Sequence, residues 1–183
     1  PRANAWLVPL LRDESGPVRR AALFALGQIA DAQARGDGAG ALALTLRAAL
    51  REAEAADLPY AIEALGKTRD PRAVAELVRQ EAGRLVYLGH EDAYVRGEAA
   101  LALFRLGDAS VLPELFVALN LEKEPEPRWR QVYAAWRLLR ARAQAAGPAH
   151  GARDARQQRA DAWARSEERR VGKECRSRGS PYH

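Results

Sequence analysis

The chain has no methionine, one cysteine and three histidines among its 183 residues. A single cysteine excludes a framework of internal disulfides and any metal site built from several cysteines. The histidines, at positions 90, 150 and 183, are too scattered to indicate a histidine-based metal site. No apolar run reaches the roughly 18 residues of a membrane-spanning helix. We therefore expect no metal, no cofactor and no membrane insertion.

The sequence also lacks the common motifs of nucleotide-binding and nucleophilic enzymes. It contains no Gly-x-Gly-x-x-Gly, no Gly-x-x-x-x-Gly-Lys and no Gly-x-Ser-x-Gly. His90 stands beside two carboxylates in Gly89-His-Glu-Asp92, but no other histidine or cysteine lies near it in sequence, so we interpret it as a turn residue. We predict no catalytic residue and a chain that is not an enzyme.

The first residue is Pro1 and lysine is rare, with three lysines among the 29 basic residues. A translated chain begins with methionine, and an excess of arginine over lysine is typical of GC-rich coding sequences. We therefore expect a fragment of a larger bacterial protein. Its localisation stays unknown, because any signal peptide would precede Pro1.

The positive charge is concentrated at the end of the chain. Residues 165–183 carry six basic and three acidic residues, and so contribute +3 of the net charge of +5. This block resembles the translation of a sequencing-library adapter, so we expect a disordered tail that is an artefact of read-through. The alternative is a genuine disordered basic tail. Before it, residues 148–164 are predicted to form a linker and a weakly docked polar helix, and residues 1–147 hold the folded array.

An internal repeat organises residues 1–147. The segment from Val18 to Asp31 matches the segment from Val95 to Asp108 at an offset of 77 residues, with a partial copy at 61–70 between them. A fourth, looser copy covers 129–139. A fixed period of 38–39 residues indicates stacked supersecondary units.

Each unit is predicted to contain two helices. Apolar residues recur at helical spacing after Val18, which predicts the first helix of a unit. Asp70-Pro71 is typical of a helix start, and the apolar residues that follow predict a second helix reaching Val86. The small alanines allow first helices to approach closely, while leucines such as Leu26, Leu65 and Leu103 fill the space between the helices. Arg19 and Arg96 are expected to pair with acidic groups of nearby turns, such as Asp13 or Asp92.

This pattern resembles the HEAT-repeat family, including its short bacterial HEAT-like form. The shared features are a turn with an acidic residue, a Val-Arg pair, an Ala-x-x-Ala-Leu-Gly segment and a second helix with Leu-x-x-Leu, over residues 5–142. The resemblance implies an all-α, armadillo-type α-solenoid of about four units. The first unit is expected to be incomplete, because Trp6, Leu7, Leu10 and Leu11 would belong to a second helix whose first helix is absent.

The resemblance also implies which residues bind a partner. Second helices line the concave face of HEAT solenoids, and the mixed charges expected there favour a protein over a polyanion. The candidate residues on this face are Arg47, Arg51, Glu76, Arg79, Gln80 and Glu114. Trp129 and Trp136 form a further stripe flanked by arginines. They are either bulky core residues or an aromatic and basic patch for a partner or nucleic acid.

Two classes of function stay open. The first is a non-catalytic scaffold of HEAT repeats that binds another protein. The second is the repeat arm of a larger enzyme, for example a cyclophilin-type prolyl isomerase, whose catalytic domain is missing. A HEAT-like nucleic-acid-binding protein is the weaker third alternative. We also expect the fragment to self-associate through its exposed N-terminal edge.

Overall fold

A computed structural model of the chain describes residues 2–35, 40–146 and 161–167. Within these ranges the chain forms nine α-helical segments and one two-residue-strand hairpin. The helices are Arg2–Leu7 (α1), Gly16–Ala34 (α2), Ala43–Glu52 (α3), Leu58–Lys67 (α4), Val74–Leu77 (α5), Ala93–Leu106 (α6), Leu112–Leu121 (α7), Pro125–Ala145 (α8) and residues 161–167 (α9). Short 3-10 helices span Pro9–Arg12, Ala55–Asp57, Pro71–Ala73 and Ala109–Val111. The predicted all-α fold of stacked helices is confirmed.

The first helices of the units, α2, α4, α6 and α8, form one layer that we call the alanine layer. Each of them packs along the next one. The contact is close because small residues face each other: Ala61, Ala64, Ala99 and Ala102 are 0–2% exposed. The closest approach lies between α4 and α6, where a Cβ added to Gly66 would lie 2.6 Å from the Cα of Ala102. The predicted close packing of first helices is confirmed.

The second helices, α3, α5 and α7, form the opposite layer, which we call the leucine layer. The core lies between the two layers and consists mainly of leucine side chains that are almost completely buried: Leu26, Leu46, Leu50, Leu65, Leu77, Leu103, Leu115 and Leu138. Each leucine-layer element packs mainly against the alanine-layer helix that follows it, as α3 does on α4 and α7 on α8. The segment Pro9–Arg12 packs on α2 in the same way.

The N-terminal apolar segment also belongs to this packing. Pro9–Arg12 packs on α2, as α3 packs on α4, α5 on α6 and α7 on α8. Trp6 is nevertheless 79% exposed at this edge.

Contact within the two layers is uneven. Alanine-layer helices are in close contact with each other, whereas α3, α5 and α7 make little backbone contact with one another. Because α5 has only 4 residues, the leucine layer is interrupted between α3 and α7.

The prediction that a second helix reaches Val86 is wrong. α5 ends at Leu77, and the chain then forms an antiparallel hairpin of Gln80–Glu81 (β1) with Arg84–Leu85 (β2). The two turn residues, Ala82 and Gly83, have φ values of +49° and +75°. Two consecutive positive φ values are typical of the tight turns that join hairpin strands, and they cannot occur within an α-helix.

Beyond α8, the helix α9 packs back onto α8. The indole Nε1 of Trp136 donates a hydrogen bond to Asp161 Oδ1 at 3.0 Å, and Ala164 is 2% exposed. The Arg128 Nε lies 3.6 Å from Glu167 Oε2. The predicted polar helix therefore continues past 164, and residues 165–167 are helical rather than disordered. The predictions for 148–160 and 168–183 lie outside the described residues.

Candidate functional site

Arg19 links its own turn to the following unit. Its Nη1 donates to the backbone carbonyls of Asp13 and Glu14, at 3.0 and 3.2 Å. Its Nε donates to Asp57 Oδ2 and its Nη2 to Glu54 Oε2, both at 2.6 Å. The expected acidic pairing is therefore present, but the carboxylates come from the segment before α4 rather than from Asp13.

Arg96 repeats this geometry two units later. Its Nη1 donates to the carbonyls of His90 and Glu91, and its Nε donates to Glu122 Oε2 at 2.6 Å. Burial raises the pKa of the Glu122 carboxyl, but hydrogen bonds from Arg96 and from two backbone amides outweigh it, so the net pKa is lowered. Arg19 and Arg96 are thus structural clamps between neighbouring units. The second unit has Leu58 where the units of Arg19 and Arg96 have this arginine.

His90 is a turn residue, as predicted. Its Nδ1 accepts a hydrogen bond from the backbone amide of Asp92 at 3.0 Å, and Asp92 in turn caps α6 by accepting from the Tyr94 amide. In the described part of the chain, no three His, Cys, Asp or Glu side chains are grouped so that they could hold a metal ion. None of the helices described there is long and apolar enough to cross a membrane.

The candidate residues of the leucine layer divide into two groups. The first surrounds Glu76, whose Oε2 accepts hydrogen bonds from Arg51 Nε at 3.0 Å and Nη2 at 2.6 Å. These hydrogen bonds lower the pKa of the Glu76 carboxyl despite its burial, and the charges of Arg79 and Arg47 act in the same direction. Arg51 thereby ties α3 to α5, so these two residues are already paired with each other.

The second group contains Gln80 and Glu114, which line a common groove of about 620 Å3. Gln80 lies in β1 rather than on a helix, while Glu114 lies in the first turn of α7. Two exposed apolar residues of α7 line the same groove, Val117 and Leu121. These two residues are not among those predicted from the sequence. Their positions, three and seven residues after Glu114, form a stripe at helical spacing that could have indicated them.

Trp129 and Trp136 lie on α8, in the alanine layer, and so belong to a different surface from Glu114. Trp129 stacks on Tyr133 with 5.6 Å between the ring centroids, and it is 38% exposed. Trp136 is half-buried and donates a hydrogen bond to Asp161. Arg137 lies over the rings of Phe104 and Tyr133, and Arg140 lies over Trp136. The aromatic stripe is therefore partly packed, and cations already occupy several of its ring faces.

Comparison with known families agrees with this architecture. The HEAT repeat model matches residues 7–33, and the model of the PBS lyase HEAT-like repeat matches residues 60–79. The first match joins the segment before α2 to α2, which is the pairing seen in the packing, whereas the second joins α4 to α5. No curated protein matches the chain. The two matched segments are thus similar to HEAT-type repeats, and their helices stack in two layers.

Proposed function

We propose that this chain is a non-catalytic scaffold that binds another protein through its leucine layer. HEAT repeats generally mediate interactions between proteins, and this supports a protein partner. The observation that carries the proposal is the exposure of large apolar side chains on two helices of this layer. Leu44 on α3 is 76% exposed, and Val117 and Leu121 on α7 are 53% and 73% exposed. Val117 and Leu121 lie four residues apart on α7 and line one groove, and adjacent exposed apolar side chains are typical of protein-binding surfaces.

The charges near these residues support a protein rather than a nucleic acid. Arg51, Glu76, Arg79 and Glu114 place both signs on the same layer, and mixed charge gives specificity for a complementary protein surface. On the alanine layer, Arg130 forms salt bridges with Glu98 and Glu126. A polyanion would have to compete with these carboxylates.

Site-specific photo-crosslinking tests the proposal. A benzophenone amino acid is placed at Leu44, at Val117 or, as the control, at Phe24 in cells that produce the chain. Phe24 is 53% exposed, the same as Val117, but it lies on the alanine layer. We expect the same protein adduct from both leucine-layer positions and none from Phe24. Adducts from Phe24 alone, or adducts that a nuclease removes, would contradict the proposal.

A further inference from the structure

The groove beside α7 exists because α5 is short. α5 has 4 residues, whereas α3 and α7 have 10 each. The missing six residues correspond to about 9 Å of helix. The hairpin that replaces them contributes Gly83, Arg84 and Leu85 to one wall of the groove, and α7 forms the other wall. We call this space the α7 groove.

The α7 wall is an unpartnered helix face. Glu114, Val117, Ala118 and Leu121 lie at positions i, i+3, i+4 and i+7, so they follow one line along the helix. A neighbouring helix normally covers such a stripe in a stacked array. Here Val117 and Leu121 are mostly exposed, while Ala118 at the base of the groove is buried.

The polar residue of this stripe lacks a partner. Glu114 Oε2 is buried, and no hydrogen-bond donor reaches it among the described residues. The Glu114 side chain as a whole is half-buried and lines the groove, so a cationic donor placed in the groove would pair favourably with its carboxylate. Glu122 and Glu124 also line the groove, but both accept hydrogen bonds from Arg96. The groove therefore combines an apolar wall with one carboxylate that has no such partner, at the N-terminal end of α7.

We propose that the α7 groove binds an amphipathic helix of a partner protein, which takes the place of the missing turns of α5. The helix presents apolar side chains to Val117 and Leu121, and a lysine or arginine to Glu114. Helices that dock in this way present anchors spaced i, i+3, i+4 and i+7. This inference rests on the proposed scaffold function. It specifies that the partner of the scaffold presents an amphipathic helix with a basic residue.

Selection from a phage-displayed library of random peptides of about 16 residues, long enough for four turns, tests the groove. On the wild-type chain we expect enriched peptides with a helical apolar stripe and an adjacent lysine or arginine. On Glu114→Gln we expect the same stripe without the basic residue. An unchanged basic preference on Glu114→Gln would overturn the assignment of Glu114.

A pair of matched variants locates the binding. Leu121→Glu and Leu44→Glu place the same charge on leucines that are 73% and 76% exposed, both on the leucine layer. For an enriched peptide synthesised with a fluorophore, we expect Leu121→Glu to weaken binding by about tenfold or more, as loss of a central apolar contact does. Leu44→Glu, which lies outside the groove, should leave the affinity unchanged. Since both leucines are exposed, thermal melts of the two variants should match that of the wild type.

Each other outcome decides between the groove and the wider function. If Leu44→Glu abolishes peptide binding and Leu121→Glu does not, the peptide does not bind in the α7 groove. This result would contradict the inference about the groove but would remain compatible with the scaffold function. If no peptide is enriched, the inference that the α7 groove binds a helix is contradicted. The crosslinking experiment would then test the scaffold function independently. A wild-type dimer that Leu121→Glu dissociates would show that a second copy of the chain occupies the groove, which contradicts the proposal.

Discussion

Two arginines that follow a valine by one position set the contact between neighbouring units. Arg19 and Arg96 each bind two carbonyls of the turn five and six residues before them, and each binds two carboxylates of the next unit. Both side chains are mostly buried, at 14% and 13% exposure. A buried guanidinium with several acceptors fixes the spacing of two units more firmly than a surface ion pair does.

The first prediction concerns the pH dependence of stability at the second clamp. The folded-state pKa of Glu122 lies below its ordinary value of 4.5, so ionised Glu122 stabilises the fold above that pH. This contribution is lost as the pH falls through the folded-state pKa. Denaturant unfolding at a series of pH values should therefore show a shallower loss of stability in acid for Glu122→Gln than for the wild type.

Glu98 is the matched control, because its pKa is shifted in the opposite direction. Burial raises the pKa of its carboxyl, and Arg130 and Arg105 oppose the shift only in part. As the pH rises from 4.5 through the raised folded-state pKa, ionisation of Glu98 lowers the stability of the wild type, and this part of the pH dependence should be absent in Glu98→Gln. Identical pH profiles for the two variants would contradict this account of the clamp.

At the scale of elements, glycines decide how closely the alanine layer packs. Gly66 of α4 faces the backbone of Ala102 on α6, where an added Cβ would meet Cα at 2.6 Å and Cβ at 2.7 Å. Gly97 of α6 also has a close neighbour, but that neighbour is the Cδ of Arg130 at 2.7 Å. A flexible arginine side chain can move aside, whereas two helix backbones cannot separate without loosening the core between them.

The second prediction compares alanine at these two glycines. Gly66→Ala should destabilise the chain by about 1–3 kcal/mol, because the extra methyl forces α4 and α6 apart. Gly97→Ala should cost less than Gly66→Ala, because alanine favours the helix and the Arg130 side chain, although it pairs with Glu98 and Glu126, shifts more easily than a helix backbone. Chemical denaturation followed by circular dichroism measures both. Equal effects at the two positions would show that α4 and α6 do not pack as closely as described.

The third prediction concerns the hairpin that replaces the end of α5. Gly83→Ala should cost about 1–2 kcal/mol, since a left-handed conformation is unfavourable for a residue with a Cβ. Ala82→Asn should instead stabilise the chain by up to about 1 kcal/mol, because asparagine tolerates that conformation and favours such turns. If this segment were helical, both signs would reverse, and thermal melts of the two variants would show it.

Most of the fold could be predicted from the sequence, because the alanine and leucine positions repeat with one period. The interruption after Leu77 could not, since the apolar residues from Val74 to Val86 also fit a helix. Gly83 was the local signal for the turn. The sequence also does not show which neighbouring helix each leucine-layer element contacts most, because that contact is visible only in the packing.

The candidate site was predicted less well for a physical reason. Charged residues on helices are visible in a sequence, but their partners are not, so Arg51 and Glu76 were selected although they pair with each other. The α7 groove forms where the shortness of α5 leaves a space beside α7, and this space is visible only in the packed structure. Of the predicted residues, Gln80 and Glu114 lie in the groove.

At the scale of the whole molecule, the two ends of the array differ. At the C-terminal end α9 covers part of α8, whereas Trp6 at the N-terminal end is 79% exposed and Leu10 is 37% exposed. End units of solenoids normally present a polar outer face. We therefore expect the N-terminal edge of the array, rather than its C-terminal end, to associate with another copy of the chain.

The fourth prediction is that the chain self-associates through this edge. Sedimentation velocity should show a concentration-dependent increase in mass for the wild type and a shift toward monomer for Trp6→Glu combined with Leu10→Lys. Leu44→Lys is the control, because Leu44 is as exposed as Trp6 but lies away from the edge. A wild-type chain that stays monomeric, or association that Leu44→Lys abolishes, would contradict the prediction.

Hydrogen exchange tests most directly the central claim that this two-layer helical array binds a protein helix at the interruption of its leucine layer. Exchange is measured by mass spectrometry with and without a saturating groove-selected peptide. Binding in the groove should slow exchange in 80–90 and in α7, and leave α3 and the N-terminal segment 2–12 unchanged. Slowed exchange confined to α8 or to α3, with 80–90 and α7 unaffected, would contradict the claim.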